Sequence, residues 1–282
     1  MKVPTFNPSA PDGFTINEPA KVLTKLQRFA QAGAGHTYFL FDFDRTLTTS
    51  KHTGDNTTTW EIMHGLLPLE GQKTNNAIRD KYLSLESAGL LSSEDSHRWL
   101  SSQLDLHKMH GTSAQNIKRA AKAVRLRDGS REVFDACSEA HIPTVILSAG
   151  IRDIIELIMA EHSIHPSELL SVKLQFASNG RIIGWDKDST VLANNKRETV
   201  KQQLSHITAA RPYVVLIGDT TDDARMVDGD DTVLRVRVWD PQEGERSDAY
   251  LKQSFKAGYD MVVDEDLSPL APLISWLNGV RG

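Results

Sequence analysis

The stretch FLFDFDRTLT, residues 39–48, places two aspartates two positions apart directly after an apolar run. The aromatic and aliphatic residues before Asp42 are typical of a short buried strand. At the end of such a strand the carboxylates of Asp42 and Asp44 would lie close together and repel each other, so a positive charge is needed to offset them. The stretch therefore predicts a chemical site at the tip of a strand.

The sequence around this strand alternates between helical and strand patterns. A helix is predicted over AKVLTKLQRFAQAG (residues 20–33), and apolar strands such as VILSAG (145–150) and YVVLIGD (213–219) alternate with amphipathic helices. Residues 1–19 are predicted to form an extended arm. Strands that alternate with helices favour a parallel sheet covered on both faces. We therefore predict a three-layer, Rossmann-like α/β core.

A polar segment interrupts this alternation. Residues 49–124 carry helical patterns and no convincing strand, so we predict a helical cap domain inserted into the chain. The core is then formed by residues 1–48 and 125–282.

Composition narrows the classes of partner. The chain has 282 residues, a net charge of −5 and a single cysteine, Cys137, which is expected to be a buried thiol in a helix. A negative balance argues against nucleic acid or an anionic membrane as the partner. We find no apolar signal segment or membrane span and expect a cytoplasmic protein, monomeric or weakly homo-oligomeric, that acts on a small molecule.

Polar residues follow three of the predicted strands, where ligands bind in parallel sheets. A lysine, Lys196, also opens the helix before the third of these strands. The residues at the three strand ends are Asp42, Asp44 and Thr46; Ser148, Ala149 and Gly150; and Gly218, Asp219, Asp222 and Asp223.

These residue types fit phosphoryl transfer. Clustered carboxylates call for a hard cation such as Mg²⁺, which would offset the repulsion between Asp42, Asp44 and Asp219. Asp42 is the candidate nucleophile, and Asp44 could protonate the leaving oxygen and later deprotonate water. Lys196 would neutralise the transferring group.

The strand end at residues 148–150 is the candidate phosphate-binding turn. The Ser148 hydroxyl and the amides of Ala149 and Gly150 would donate hydrogen bonds to phosphate oxygens. Each element alone has an ordinary alternative, because a D-x-D-x-T pattern occurs by chance and a single lysine is usually solvated. Their common placement at strand ends favours the functional interpretation.

This ordered set resembles the haloacid dehalogenase-like superfamily of phosphohydrolases, and stretches such as FDFDRTLT, ILSAGIRDIIELIM, NNKRETV and IGDTTDDARMVDG resemble the cytosolic type III (pyrimidine) 5′-nucleotidases. The resemblance implies a C1-type cap, an aspartyl-phosphate intermediate and a nucleoside 5′-monophosphate substrate. It also implies that Asp42, Asp44, Asp219 and Asp223 are the magnesium ligands, and it favours Asp223 over Asp222, which stands where the family usually has glycine.

A cap glutamate that contacts the base in that family corresponds to Glu86, in KYLSLES. Glu86 as a solvated helix residue is the alternative, and Trp60, Tyr82 and Trp99 either pack the cap or stack on a base. Two other functions stay open. One is hydrolysis of another small phosphomonoester, such as a phosphosugar or a phosphoserine-like compound, and the other is a non-catalytic protein that retains the fold.

Overall fold

The computed structural model describes residues 7–9, 12–49, 58–88, 90–187, 190–241 and 244–279. A seven-stranded sheet lies at its centre, with the strand order β1-β9-β8-β7-β2-β3-β4. Only the edge strand β1 is antiparallel to its neighbour, β9. The strands are β1 Phe14–Ile16, β2 Thr37–Phe41, β3 Thr144–Ile151, β4 Glu168–Val172, β5 Leu174–Phe176, β6 Ile182–Trp185, β7 Tyr213–Gly218, β8 Val233–Val238 and β9 Met261–Val263.

Helices cover both faces of this sheet and form a separate group between β2 and β3. Strands β5 and β6 pair only with each other, as a hairpin. The helices are α1 Pro19–Ala32, α2 Thr59–Gly65, α3 Leu69–Ser87, α4 Ser93–Met109, α5 Ala114–Ala121, α6 Ser130–Glu139, α7 Arg152–Glu161, α8 Lys196–Gln203, α9 Ser205–Ala210, α10 Asp248–Lys256 and α11 Leu270–Gly279. None of the helices in the described ranges has the length and apolar character that a membrane span requires.

Strand β2 shows why the core has three layers. All five of its residues are buried, and successive side chains point to opposite faces of the sheet. Phe39 and Phe41 belong to the apolar cluster on the face of α1, α6 and α11, where the Phe41 ring stacks on Phe134 at 5.1 Å between centroids. Tyr38 and Leu40 belong to the cluster on the face of α8 and α9. Burial on both faces explains the continuous apolar run.

The position of β2 in the sheet creates the site. Strand β2 pairs in parallel with β3 on one side and with β7 on the other. The carboxyl ends of these three strands therefore meet at one edge, where the chain order of the sheet reverses and ligands bind in such folds. These are the three strand ends that carry the polar residues selected from the sequence.

Four local features differ from the sequence-based expectation. The predicted extended arm contains β1, which pairs with β9 at the sheet edge. Strand β4 and helix α10 were not predicted, because β4 is a short edge strand and α10 lies in a polar segment. The predicted helix that Lys196 opens is two helices in the structure, because buried Leu204 leaves helical geometry at φ −102° and ψ 11°.

Helices α2 to α5, which we call the helical group, fall within residues 49–124, as the cap prediction expects. Residues 50–57 lie outside the described residues. Side-chain hydrogen bonds define where three of them begin. Thr58, Ser92 and Ser113 each accept a hydrogen bond from the amide three residues on and form reciprocal capping boxes. The division into a core and a cap at residues 49–124 stays a prediction. Cys137 is buried in α6, as predicted, and burial raises the pKa of its thiol.

The two chain segments that join the helical group to the sheet pair with each other. The Thr49 amide donates to the Arg125 carbonyl at 3.1 Å, and the Arg127 amide donates to the Leu47 carbonyl at 2.8 Å. The guanidinium of Arg127 then forms a fully buried ion pair with Asp240 at 2.7 Å. Its Nε also donates to the Thr46 carbonyl at 3.1 Å, so this arginine holds the loop that follows β2.

Replacing Arg127 with methionine is expected to lower the free energy of unfolding by about 3–5 kcal/mol, because the substitution removes one partner of a fully buried ion pair. Urea unfolding followed by circular dichroism measures this change. The matched control is Arg131→Met on α6, whose ion pair with Asp135 is exposed on both side chains and should contribute about 1 kcal/mol or less. Equal effects of the two substitutions would contradict this role of Arg127.

Candidate active site

Three carboxylates meet at the carboxyl ends of β2 and β7. Asp42 follows β2 directly, and its amide donates to the Ile217 carbonyl of β7 at 3.0 Å. Asp219 follows β7, and Asp223 lies one turn further on. Carboxylate oxygens of Asp42, Asp219 and Asp223 lie within 4.8 Å of one another, and all three residues are buried. The strand order thus brings together residues that are 181 positions apart in the chain.

Lys196 is the cation that compensates this group. Its Nζ donates to Asp42 Oδ1 at 2.6 Å and to Asp223 Oδ1 at 2.9 Å, and its side chain is only 11% exposed. Lys196 is the first residue of α8, as the sequence predicts. The placement of α8 against the sheet through Val200 therefore delivers the ammonium to the strand ends.

The pKa values of this group follow from burial and from these contacts. Burial raises the pKa of Asp42 to about 7, with Lys196 lowering it and Asp223 raising it further. Burial alone would lower the pKa of Lys196, but Asp223 and Asp42 outweigh it and raise that pKa. Lys196 contacts two of the three carboxylates. A divalent cation would offset more of the negative charge that the group carries.

The residues present fit a hard divalent cation. Carboxylate oxygens are the ligands that Mg²⁺ prefers, and Asp42, Asp219 and Asp223 converge closely enough to share one ion. The surrounding groups hold these ligands in place. Thr46 Oγ1 donates to Asp219 Oδ1 at 2.8 Å, and Thr220 Oγ1 donates to Asp223 Oδ2 at 2.8 Å.

Buried residues behind the loop after β7 hold its backbone. Arg237 Nε donates to the Asp219 carbonyl at 2.8 Å, and its guanidinium lies 4.3 Å from the Tyr250 ring centroid. Tyr259 donates its hydroxyl hydrogen to the Thr220 carbonyl at 2.6 Å. The sequence analysis missed these residues, since no motif surrounds Arg237, Tyr250 or Tyr259. A charged residue within the apolar run of β8 is the one signal that points to Arg237.

Asp44 lies apart from the three-carboxylate group. Its Oδ1 accepts from the Thr59 amide at 2.8 Å and its Oδ2 accepts from Thr59 Oγ1 at 2.7 Å. Burial raises the pKa of Asp44 to about 6, although the hydrogen bonds from Thr59 lower it. The role of Asp44 as a metal ligand stays a prediction. Thr59 was also missed from the sequence, because no motif surrounds it.

The strand end at residues 148–150 lies beside Asp44. A Cβ atom added at Gly150 would lie 2.9 Å from Asp44 Oδ2 and 3.1 Å from Ser148 Oγ, so only glycine fits there. The Gly150 amide donates to Ser148 Oγ at 3.1 Å. Buried Ser148 thus lies at the same sheet edge as Asp42 and Asp44, and binding of phosphate by residues 148–150 stays a prediction.

A cavity of about 710 Å³ extends from this edge between α2, α3, α4 and the sheet. Ala149 borders it on the side of the strand ends, and Trp60, Trp99 and Glu86 border it on the side of the helices. Partial burial and the charge of Asp222 raise the pKa of Glu86. Glu86 therefore borders the cavity near the loop after β7, and its contact with a ligand stays a prediction.

The three aromatic residues of the helical group divide between two roles. Tyr82 is buried and stacks on Trp99 with 5.7 Å between ring centroids, so it packs the interior of the group. Trp60 donates its indole N–H to the Ala149 carbonyl at 3.1 Å. Trp60 and Trp99 both border the cavity and offer aromatic surface to a ligand.

Comparison with known proteins bears on both fold and activity. The sequence profile of the family described as pyrimidine 5′-nucleotidase (UMPH-1) matches residues 45–272. The chain is 26% identical to 7-methylguanosine phosphate-specific 5′-nucleotidase A of Xenopus laevis, over 90% of this chain and 91% of the relative. It is 27% identical to putative cytosolic 5′-nucleotidase 3 of Caenorhabditis elegans, over 89% of this chain and 71% of the relative.

Solved structures match the whole fold. The crystal structure of cytosolic 5′-nucleotidase IIIB bound to cytidine superposes with a TM-score of 0.77 at 20% identity, over 96% of this chain and 95% of that one. A substrate-bound phosphoserine phosphatase superposes with a TM-score of 0.52 at 16% identity, over 82% and 94% of the two chains. These matches confirm the predicted α/β fold with its mostly parallel sheet.

His107 makes the free energy of unfolding depend on pH. It is buried, with its Nδ1 2.9 Å from Thr112 Oγ1. Burial, together with the nearby His110 and His64, lowers the pKa of His107 from 6.5 to about 4. Between these pH values the unfolded chain binds a proton at His107 that the folded chain does not bind. The free energy of unfolding therefore falls as the pH falls from about 6.5 to about 4.

Between pH 8 and pH 4 the protein is expected to lose free energy of unfolding through His107. Replacing His107 with asparagine, which does not titrate, should reduce this loss by about 3 kcal/mol at most. Urea unfolding at a series of pH values from 8 to 4 measures how the free energy of unfolding changes with pH. The free energies of unfolding at pH 8 serve as the internal control. At that pH residue 107 is uncharged in both proteins, which then differ only in packing. An unchanged slope in the variant would show that His107 does not cause the loss of stability.

Proposed function

Because this chain belongs to the pyrimidine 5′-nucleotidase (UMPH-1) family, whose members are phosphoric monoester hydrolases, we propose that it hydrolyses nucleoside 5′-monophosphates through a phosphorylated Asp42. The observation that carries this proposal is the buried Asp42 carboxylate, bound to Lys196 and grouped with two further carboxylates at a sheet edge that opens into a cavity. An acidic group of this kind would hold a divalent cation, which would bind the negatively charged phosphate ester.

In the first step, an oxygen of Asp42 attacks phosphorus and the bond from phosphorus to the 5′-oxygen of the nucleoside breaks. Asp44 gives its proton to that leaving oxygen, so that a neutral nucleoside departs. Lys196 neutralises negative charge on the transferring group, because its ammonium already lies 2.6 Å from Asp42 Oδ1. The Ser148 hydroxyl and the amides of Ala149 and Gly150 bind the phosphate oxygens.

In the second step, water attacks the phosphorus of phosphorylated Asp42 and Asp44 takes its proton. The bond between phosphorus and the Asp42 oxygen breaks, which releases inorganic phosphate and restores both carboxyl groups. A general acid that must also act as a base works best with a pKa near the working pH. The pKa of about 6 at Asp44 suits it to both steps.

Asp42, Asp219 and Asp223 are the side chains that would hold the magnesium ion. When bound, the ion offsets the negative charge of the site and polarises a phosphoryl oxygen. Asp44, whose carboxylate is bound to Thr59, is proposed here for proton transfer.

The cavity is the proposed site of the nucleoside. Its volume of about 710 Å³ lies within the range of about 300–1,000 Å³ that is usual for small-molecule sites. Trp60 and Trp99 offer aromatic surface to a base, and Glu86 offers a carboxylate. The name of one relative specifies 7-methylguanosine phosphate as its substrate, and a solved structure contains cytidine, so a nucleoside monophosphate is the class we propose. We propose a cytosolic location, in accord with the name of the Caenorhabditis elegans relative.

Replacing Asp42 with asparagine is expected to lower phosphate release from nucleoside 5′-monophosphates by at least about a thousandfold, because the amide cannot act as the nucleophile. The assay measures inorganic phosphate over a panel of nucleotides, phosphosugars and phosphoserine. The matched control is Asp222→Asn, whose side chain is 73% exposed and which should retain activity. Wild-type preference for a phosphosugar or phosphoserine would reject the nucleotidase assignment, and full activity of Asp42→Asn would reject the mechanism.

Removal of divalent metal by EDTA is expected to abolish activity, and added Mg²⁺ is expected to restore it. Loss of an outer-shell partner typically weakens metal binding by about 10–100-fold, so loss of a ligand in Asp219→Asn should raise the Mg²⁺ concentration for half-activation by at least as much. Isothermal titration calorimetry compares the Mg²⁺ affinity of the wild type with that of Asp219→Asn in the absence of any substrate. Undiminished activity in EDTA, or equal Mg²⁺ affinity of the two proteins, would contradict the metal site.

A further inference from the structure

Thr59, the first residue of α2, contacts both oxygens of the Asp44 carboxylate. Its amide donates to Asp44 Oδ1 at 2.8 Å and its hydroxyl donates to Asp44 Oδ2 at 2.7 Å. Thr59 is fully buried, and its amide and side chain together fix both the position and the plane of the carboxylate. Two hydrogen bonds from one residue to the two oxygens leave Asp44 little rotational freedom about its χ2 angle.

The orientation of the Thr59 hydroxyl is itself fixed. Thr59 Oγ1 accepts a hydrogen bond from the Ile151 amide at 3.1 Å, at the end of β3. A hydroxyl has one hydrogen to donate and two lone pairs to accept with. One lone pair faces the Ile151 amide, so the hydrogen is left to point at Asp44. The end of β3 therefore sets the direction in which Thr59 holds Asp44.

This contact lies against the proposed phosphate-binding turn. A Cβ atom added at Gly150 would lie 2.5 Å from Thr59 Oγ1 and 2.9 Å from Asp44 Oδ2. The next residue of α2, Trp60, donates its indole N–H to the Ala149 carbonyl at 3.1 Å. The beginning of α2 is thus joined to residues 149–151 and to Asp44 at once.

We propose that Thr59 is a positioning residue that aims Asp44 at the leaving oxygen of the substrate. It acts through Asp44 and does not itself contact the reacting atoms. This inference rests on the proposed function, because it takes Asp44 as the proton donor. A general acid works only within hydrogen-bond reach of the atom that it protonates, so a carboxylate released from Thr59 spends less time in the productive orientation.

The dependence on the leaving group distinguishes this role from a structural one. The 5′-oxygen of a nucleoside leaves as an unstable alkoxide unless it is protonated, whereas p-nitrophenolate is a stable anion that departs without a proton. Loss of the contact between Thr59 and Asp44 therefore slows release of the nucleoside and spares release of p-nitrophenolate. Distortion of the site as a whole would slow both substrates.

The test measures the first-turnover rate of leaving-group release by rapid quench for a nucleoside 5′-monophosphate and for p-nitrophenyl phosphate. Thr59→Val is expected to lower the rate for the nucleotide by about tenfold or more and to leave the rate for p-nitrophenyl phosphate within about twofold of wild type. Thr59→Ser keeps the hydroxyl and should restore the nucleotide rate. Thr59→Ala repeats the test with a smaller side chain if valine impairs folding.

Two further variants serve as controls. Thr58→Val removes the hydroxyl that caps α2 one residue earlier and should change both substrates by the same factor. In an Asp44→Asn background, Thr59→Val should cause no further loss with the nucleotide, since the two residues act as one unit. Additive losses there, or equal losses with both substrates in Thr59→Val, would overturn the inference. An active Asp42→Asn enzyme would instead overturn the proposed function on which it rests.

Discussion

Electrostatic repulsion among three buried carboxylates is the constraint on which the rest of the structure depends. Oxygens of Asp42, Asp219 and Asp223 lie within 4.8 Å of one another, where a pair of like charges costs about 3 kcal/mol at an effective dielectric constant of about 20. The fold tolerates this arrangement because Lys196 contacts two of the three. The free energy lost to this repulsion is what a fold would accept in order to build the cation site proposed above.

Buried side chains donate hydrogen bonds to the backbone of the loops that carry these carboxylates. Arg127 holds the backbone of the loop after β2, and Arg237 and Tyr259 hold the backbone of the loop after β7. These contacts go to backbone carbonyl oxygens, so the carboxylates themselves stay available to the ion and the substrate. Rigid support of this kind keeps reacting groups in position without occupying their functional atoms.

Much of the core could be predicted because its signals are local. The apolar runs of β2, β3 and β7 predicted a parallel sheet, and the polar residues after each run predicted where the site lies. The comparisons confirm the fold and the family that these motifs indicated. Short edge elements escaped prediction, because β1 and β4 owe their strand conformation to pairing with distant strands and have weak patterns of their own.

The residues of the site could be predicted where a motif marks them. The prediction was incomplete where a contact depends on packing between distant segments. Asp42, Asp219, Asp223 and Lys196 were named from motifs, and the structure brings them together. The contact of Asp44 with Thr59 joins residues 15 positions apart across the boundary of the predicted cap, and Thr59 lies in a stretch without any motif. Contacts of this kind depend on how the helical group rests on the sheet, and a single sequence does not contain that information.

The central claim is that one pocket binds both a metal ion and a phosphoryl group on Asp42. A crystal structure of the protein with Mg²⁺ and beryllium fluoride, which mimics a phosphoryl group on aspartate, tests it most directly. The account predicts beryllium bonded to a carboxylate oxygen of Asp42, the ion bound by Asp42 and Asp219, and Lys196 in contact with fluoride. Beryllium fluoride on a different residue, or an ion bound away from Asp219, would contradict it.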